Sequence, residues 1–140
     1  MIHGRFEGIR LISFNAGNFR RGAAVSIPGL GIISGDAGIK SPDLLRHEFG
    51  HVLQYRKWGF LFYWTKIAPE SLMSAYRSTR DKSWHHMDCW TEWSANRLSY
   101  QYFNSPHDWD KINYPLDPPS GSLTRLPDKV RQYLHPDFPQ

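Results

Sequence analysis

The sequence has almost no cysteine. Cys89 is the only one among 140 residues, so no disulfide can form within the chain. Small secreted proteins that are held together by several disulfides are therefore excluded. A reducing compartment is compatible with this composition.

Long apolar runs are also missing. The longest, Trp58–Trp64, is far shorter than the roughly 20 residues that a transmembrane helix needs. The first ten residues include Arg5, Glu7 and Arg10, so they lack the uninterrupted apolar stretch of a signal peptide. We expect neither a leader nor a membrane span, and the cytoplasm is slightly favoured.

The run Trp58–Trp64 is aromatic or apolar at every position except Gly59, and it is flanked by Arg56, Lys57 and Lys66. Such a segment is compatible with an anchor at a membrane surface. We expect instead a buried loop and helix start, because membrane-surface anchors are usually longer amphipathic helices.

Blocks of like charge are absent as well. Lys and Arg exceed Asp and Glu by only 17 to 13, and they are scattered along the chain. This pattern is typical of a solvated surface, so we expect no nucleic-acid partner. With 40% hydrophobic and 21% charged residues, the chain has the composition of a globular protein, and we expect one domain over residues 1–140.

Apolar runs and turn residues predict an α+β fold that begins with a small β-sheet. Strands are expected at Ile9–Phe14, Ala23–Ile27 and Leu30–Ser34. Ser41 as N-cap and Pro42 at the first helical position predict a helix to about residue 57, which Gly59 ends. Two further helices are expected at residues 69–80 and 88–103. Six of the ten prolines fall in 113–140, which predicts an irregular tail with a short helix near 128–134.

Two histidines four residues apart lie in the first predicted helix, in the sequence His47-Glu48-Phe49-Gly50-His51. This spacing places both imidazoles on one helix face, where they can bind one Zn²⁺. Glu48 can reach a metal-bound water and act as general base. Gly50 is expected to let a neighbouring element approach closely.

The third metal ligand is predicted to be a downstream glutamate. We favour Glu92 over Glu70, because Asn96 lies one turn after Glu92 and its amide can hydrogen-bond a metal ligand. Glu70 is expected to be a first-turn residue that complements a helix dipole. Cys89 is interpreted as a small buried hydrophobic residue. The small side chain of Ala95 should allow close packing of the two helices.

These two helices resemble those of the minigluzincins, small zinc metallopeptidases of the gluzincin type. The similar segments are His47–Gln54 and Glu92–Asn96, within a resemblance that covers about residues 30–103, and Asn96 stands where larger gluzincins carry an Asp. The resemblance implies a zincin-like domain, in which a small N-terminal sheet packs on the HExxH helix and the Glu-bearing helix. It also implies that an edge strand, Leu30–Ser34, pairs with an extended peptide substrate.

Hydrolysis of a peptide also needs a donor for the oxyanion. His86 is our candidate and His85 the next, because both lie in the loop before the helix that carries Glu92. Tyr63 and Tyr76 are competitors, and an exposed His-His pair without a role is the alternative.

The sequence therefore predicts a zinc metallopeptidase with His47, His51 and Glu92 as ligands and Glu48 as base, acting on a peptide or protein substrate. The alternative is a zinc-binding interaction module without turnover. Glu48 favours the enzyme, because a structural zinc site has no use for a general base.

The resemblance to minigluzincins, which can be held inactive by a terminal segment that crosses the cleft, also implies a latent form of this chain. In that form the proline-rich tail would occupy the site, with His135 or Asp137 as a fourth ligand. Alternatively, it only wraps the back of the domain.

Overall fold

The N-terminal part of the chain forms a four-stranded mixed β-sheet. In the computed structural model, which describes residues 2–119 and 126–134, the strands are β1 (Ile2–Phe6), β2 (Ile9–Ser13), β3 (Ala24–Ile27) and β4 (Gly31–Ser34). Their order is β1-β2-β4-β3. β2 and β4 are parallel, whereas β1 with β2 and β3 with β4 are antiparallel. The mixed α+β class predicted from the sequence is confirmed.

The order of the strands contradicts the prediction that Leu30–Ser34 is an edge strand. β4 lies between β2 and β3, so the segment Leu30–Ser34 is not an edge, and the antiparallel edge strand on this side is β3. β4 is buried at Gly31, Ile32 and Ser34, as expected of an interior strand. β1, which the sequence did not predict, is the edge strand at the opposite side of the sheet.

Helices follow the sheet in an order close to the predicted one. The short helices α1 (Gly17–Arg20) and α2 (Asp36–Ile39) precede the site, and the remaining elements are α3 (Pro42–Phe62), a π-helix (Tyr63–Ile67), α4 (Ala68–Arg80), a 3₁₀ turn (His86–Asp88), α5 (Trp90–Tyr102) and α6 (Asp128–Leu134). Among the described residues, no helix combines the length and apolarity needed to cross a membrane.

α3 begins and breaks at the residues that the sequence indicates. The Ser41 side chain accepts a hydrogen bond from the Leu44 backbone N–H at 3.3 Å, and Pro42 occupies the first turn. At Gly59 the backbone has φ 89° and ψ 170°, which interrupts the helix. The chain becomes helical again at once and continues through the π-helix to Arg80, so the expected loop after Gly59 does not form.

Close packing of α3 on α5 sets the geometry of the site. A Cβ added to Gly50 would lie 2.2 Å from the backbone oxygen of Ala95, so the two helices touch through their backbones as the sequence predicts. Leu45 packs α3 on the sheet against Leu11 and Ile32.

A second apolar cluster lies farther along the chain. Trp58, Trp93, Leu126 and Val130 are buried together in it. The described end of the tail, including α6, is therefore docked on the domain.

Candidate metal centre

Two helices bring three metal-binding side chains together. His47 and His51 lie one turn apart on α3, and Glu92 lies in the first turn of α5. Their ligand atoms are within 4.8 Å of one another, and all three side chains are buried. Glu92 Oε1 is 3.6 Å from His47 Nε2 and 3.4 Å from His51 Nε2. This group could hold a metal ion.

The distances from the Glu92 carboxylate to the two imidazoles suit a tetrahedral ion. Zinc lies about 2.1 Å from nitrogen or oxygen ligands, so neighbouring corners of its coordination tetrahedron are about 3.4 Å apart. The two separations between imidazole nitrogen and carboxylate oxygen, 3.6 and 3.4 Å, are close to that edge. All three ligand atoms lie within 4.8 Å of one another.

Asn96 orients the first imidazole, as its position one turn after Glu92 predicts. Its Oδ1 is 2.6 Å from His47 Nδ1, and its Nδ2 donates to the Pro115 carbonyl at 3.0 Å. Because the amide nitrogen is used as a donor, its oxygen must accept from His47 Nδ1–H. The lone pair of His47 is then on Nε2, the atom that faces Glu92.

Gln54 does the same for the second imidazole, a role that the sequence analysis missed. Its Nε2 donates to the Thr91 carbonyl at 2.7 Å and to Ser94 Oγ at 2.9 Å, so its Oε1, 2.8 Å from His51 Nδ1, accepts the Nδ1 proton. The position of Gln54 three residues after His51 places both on one helix face and could have signalled this contact.

One oxygen of the Glu92 carboxylate accepts hydrogen bonds from two hydroxyl groups. Oε2 accepts hydrogen bonds from Ser71 at 2.9 Å and from Thr91 at 2.7 Å. Oε1 faces the two imidazoles and also lies 2.8 Å from His86 Nε2. The two oxygens therefore have separate partners, and Oε1 is the one directed at the candidate metal position.

His86, the candidate oxyanion donor, lies beside this carboxylate. Ser74 Oγ accepts a hydrogen bond from Trp84 Nε1 at 3.0 Å and contacts His86 Nδ1 at 2.8 Å. The Ser74 hydroxyl can donate its own hydrogen to Nδ1, which leaves the imidazole proton on Nε2, next to Glu92. His85 is exposed, and Tyr76 is exposed on α4 beside Arg80.

The electrostatics of the group favour a positive charge at its centre. Burial acts to lower the pKa of His51, but the charge and hydrogen bond of Glu92 outweigh it and raise the pKa to about 9. Burial acts to raise the pKa of Glu92, yet the charge of His51 and the neighbouring imidazoles of His47 and His86 hold it well below the usual value for a glutamate. A proton or a metal ion can supply that charge.

Glu48 lies outside the ligand group and faces the edge strand. The hydroxyl oxygen of Ser26, on β3, lies 2.7 Å from the backbone oxygen of Glu48 and 2.8 Å from its Oε2. The hydroxyl can donate its hydrogen to either oxygen. Tyr63, a competitor for the oxyanion role, is buried in the π-helix and donates to the Ser26 carbonyl at 3.3 Å. Burial, together with the charges of Glu48 and Glu92, raises the pKa of the Tyr63 phenol.

The two rejected ligands have other contacts. The half-buried Glu70 lies in the first turn of α4, as predicted, and accepts a hydrogen bond from Trp90 Nε1. Cys89 is buried, as expected, and burial raises the pKa of its thiol. Neither residue belongs to the ligand group found among the described residues.

The first part of the tail lies over the site. The Tyr114 ring is 5.5 Å from the His47 ring, and the neighbouring Pro115 carbonyl accepts the hydrogen bond from Asn96. No pattern in the sequence indicated Tyr114. His135 and Asp137, the proposed fourth ligands, lie outside the described residues.

Comparison of the chain with protein-family models, with curated proteins and with solved structures finds no match.

Proposed function

We propose that this chain is a zinc-dependent peptidase of the gluzincin type, with a zincin-like fold. The observation that carries the proposal is the convergence of His47 Nε2, His51 Nε2 and Glu92 Oε1, together with the charge of Glu48, which acts on His51 although Glu48 is outside the ligand group. Two imidazoles and one carboxylate are the ligand set of many catalytic zinc sites, in which one coordination position stays open.

The donor types favour zinc over the harder cations. Calcium and magnesium prefer six or more oxygen ligands, whereas two of the three donors here are imidazole nitrogens. Asn96 and Gln54 fix both imidazoles with the Nε2 lone pair inward, the orientation that a metal requires. When bound, zinc supplies a Lewis acid that polarises water and the peptide carbonyl.

Each neighbouring residue has a part in the proposed reaction. Glu48 takes a proton from the attacking water and passes it to the leaving amine. His86 Nε2–H, which lies against Glu92 Oε1 in the structure, turns from that carboxylate to donate to the oxyanion that develops on the peptide. β3, as the edge strand that carries Ser26 beside Glu48, is the strand with which an extended substrate would pair.

Latency by the tail is a further part of the proposal. Tyr114 over His47 and Pro115 on Asn96 support it, because both contacts occupy space next to the ligand helices. We expect Tyr114→Ala to cleave an unstructured peptide faster than the unchanged chain. Equal rates in two folded, zinc-loaded proteins would contradict inhibition through this contact.

Metal analysis combined with a peptide-cleavage assay tests the proposal. Glu48→Ala should keep about one zinc per chain and lose cleavage, because a general base contributes to rate and not to coordination. Glu92→Gln should lose zinc far more readily than the matched change Glu70→Gln. Loss of zinc in Glu48→Ala, or equal zinc in both glutamine variants, would contradict the assigned roles.

A structural zinc site without turnover is the second candidate. His86 Nε2 lies 2.8 Å from Glu92 Oε1 but outside the group of His47, His51 and Glu92, so it would have to move inward to become a fourth ligand. A closed site of four protein ligands has no open position for a substrate. If the zinc-loaded protein cleaves no peptide and His86→Ala loses the metal, this second function is correct.

A further inference from the structure

The helical segment that follows Gly59 exposes a row of large apolar side chains. We call this row the exposed apolar face, and it consists of Phe60, Leu61, Trp64, Leu72, Met73 and Tyr76. Leu61, Leu72 and Met73 are 75%, 74% and 70% exposed, and Phe60 is 65% exposed. A contiguous surface of so many exposed large apolar residues is uncommon and marks an interaction site.

These side chains share one side of a long helical segment. Tyr63, Ile67 and Ser74 are buried, and they fix the opposite side against the domain. From Phe60 to Arg80 the segment has 21 residues and a length of about 30 Å. The helical segment is therefore long enough for an anchor at a membrane surface, unlike the run Trp58–Trp64 taken alone.

The charged residues around the exposed apolar face are mostly positive. Residues 56–82 contain six Lys and Arg and only two acidic residues, Glu70 and Asp81. Glu70 is half-buried against Trp90, and Asp81 forms an ion pair with Arg77 at 3.6 Å. Lys66 and Arg80 are exposed on the same segment. The face therefore combines apolar and aromatic groups with cations, and no exposed carboxylate lies between residues 60 and 80.

We propose that this face binds the surface of a lipid bilayer that contains anionic lipids, with the helical segment parallel to the membrane plane. The apolar side chains enter the boundary between headgroups and acyl chains, and the cations contact lipid phosphates and carboxylates. Trp64 and Tyr76 have the amphipathic rings that favour this boundary.

The charge pattern distinguishes a bilayer from a second copy of the chain. In a two-fold dimer built on this face, the Lys66 and Arg80 side chains of the two copies would come together with no exposed carboxylate of the segment to pair with them. An anionic membrane offers the complementary charge. The binding needs neither a bound metal nor hydrolysis, so it stands or falls independently of the proposed peptidase activity.

Flotation with lipid vesicles tests this proposal on the full chain. We expect binding to phosphatidylcholine vesicles with about 30% phosphatidylserine to be at least about tenfold stronger than binding to pure phosphatidylcholine. The difference should shrink at about 0.5 M salt, because salt screens the contacts with charged headgroups. Absence of binding to the anionic vesicles at low salt would overturn the proposal.

Two pairs of variants identify the surface. Leu72→Ser/Met73→Ser should weaken vesicle binding at least about tenfold, whereas Ile112→Ser, which changes an apolar residue that is 90% exposed elsewhere, should not. Lys66→Glu/Arg80→Glu should weaken binding to anionic vesicles only, with Arg21→Glu as its control. Thermal unfolding verifies that each variant is folded.

Equal loss in the variants and their controls would overturn the assignment of the surface. A dimer in solution that Leu72→Ser/Met73→Ser dissociates would replace the proposed lipid by a second copy of the chain.

Discussion

Gln54 links both helices of the site through a single side chain. It accepts the Nδ1 proton of His51 and donates to Thr91 and Ser94 on α5. We expect Gln54→Leu to lower zinc affinity by about 10- to 100-fold, because the imidazole loses the partner that fixes its tautomer and orientation. Competition with a chromogenic chelator measures the affinity.

The control for Gln54 is the same change at an exposed position of α5. Gln101→Leu removes only a hydrogen bond from Tyr133 and should leave zinc affinity unchanged. If Gln54→Leu lowers the free energy of unfolding but binds zinc as tightly as the unchanged chain, Gln54 is a packing residue and does not orient the ligand.

At the scale of residues, the sequence predicted the side chains that repeat at helical spacing. His47 and His51 were identified from their separation, and Glu92 from Asn96 one turn later. Ser26 and Tyr114 could not be found in this way, because their contacts with Glu48 and His47 join segments far apart in the chain. Such contacts depend on sheet order and on the path of the tail.

The contact between α3 and α5 makes the metal site sensitive to one methyl group. In Gly50→Ala the new Cβ would lie 2.2 Å from the Ala95 oxygen, so the helices must separate. We expect a loss of about 1–3 kcal/mol in the free energy of unfolding. Zinc affinity should fall as well, because Glu92 moves away from the two histidines.

Gly59→Ala provides the matched comparison on the same helix. Its backbone conformation is one that alanine rarely adopts, which costs a similar amount of about 1–3 kcal/mol, but no atom lies within 4 Å of the added Cβ. Zinc affinity of this variant should stay unchanged when it is measured below the unfolding temperature. A parallel loss of zinc in both variants would show that general destabilisation is responsible, and not helix spacing.

At the scale of elements, it was easier to predict whether a segment forms a helix or a strand than to predict which elements lie next to it. The start of α3 followed from Ser41 and Pro42, and α5 begins at Trp90, two residues after the expected position. The edge strand was assigned wrongly, because a two-strand hairpin at Pro28-Gly29 does not determine which of its strands meets β2. The helix after Gly59 was missed because glycine usually ends a helix, and here it only bends the chain.

If the chain binds zinc as proposed, a chelator should affect the stability of the whole molecule. Zinc at a thousandfold excess over its dissociation constant adds about 4 kcal/mol to the free energy of unfolding. For a chain of this size we expect a chelator to lower the unfolding temperature by about 10 °C. Calorimetry with and without the chelator measures the shift, and Glu92→Gln should shift much less. An equal shift in both proteins would place the stabilising metal elsewhere.

With a single cysteine the chain cannot form a disulfide cross-link of its own, but a bound metal ion could cross-link it. His51 and Glu92 are 41 residues apart, so an ion held by both would act as a reversible staple that closes a chain loop of that length. A cross-link of this size removes about 4 kcal/mol of conformational entropy from the unfolded chain. The enclosed loop contains the entire exposed apolar face. Amide hydrogens between the two ligands that exchange only when this loop opens should therefore become more protected when the ion is bound.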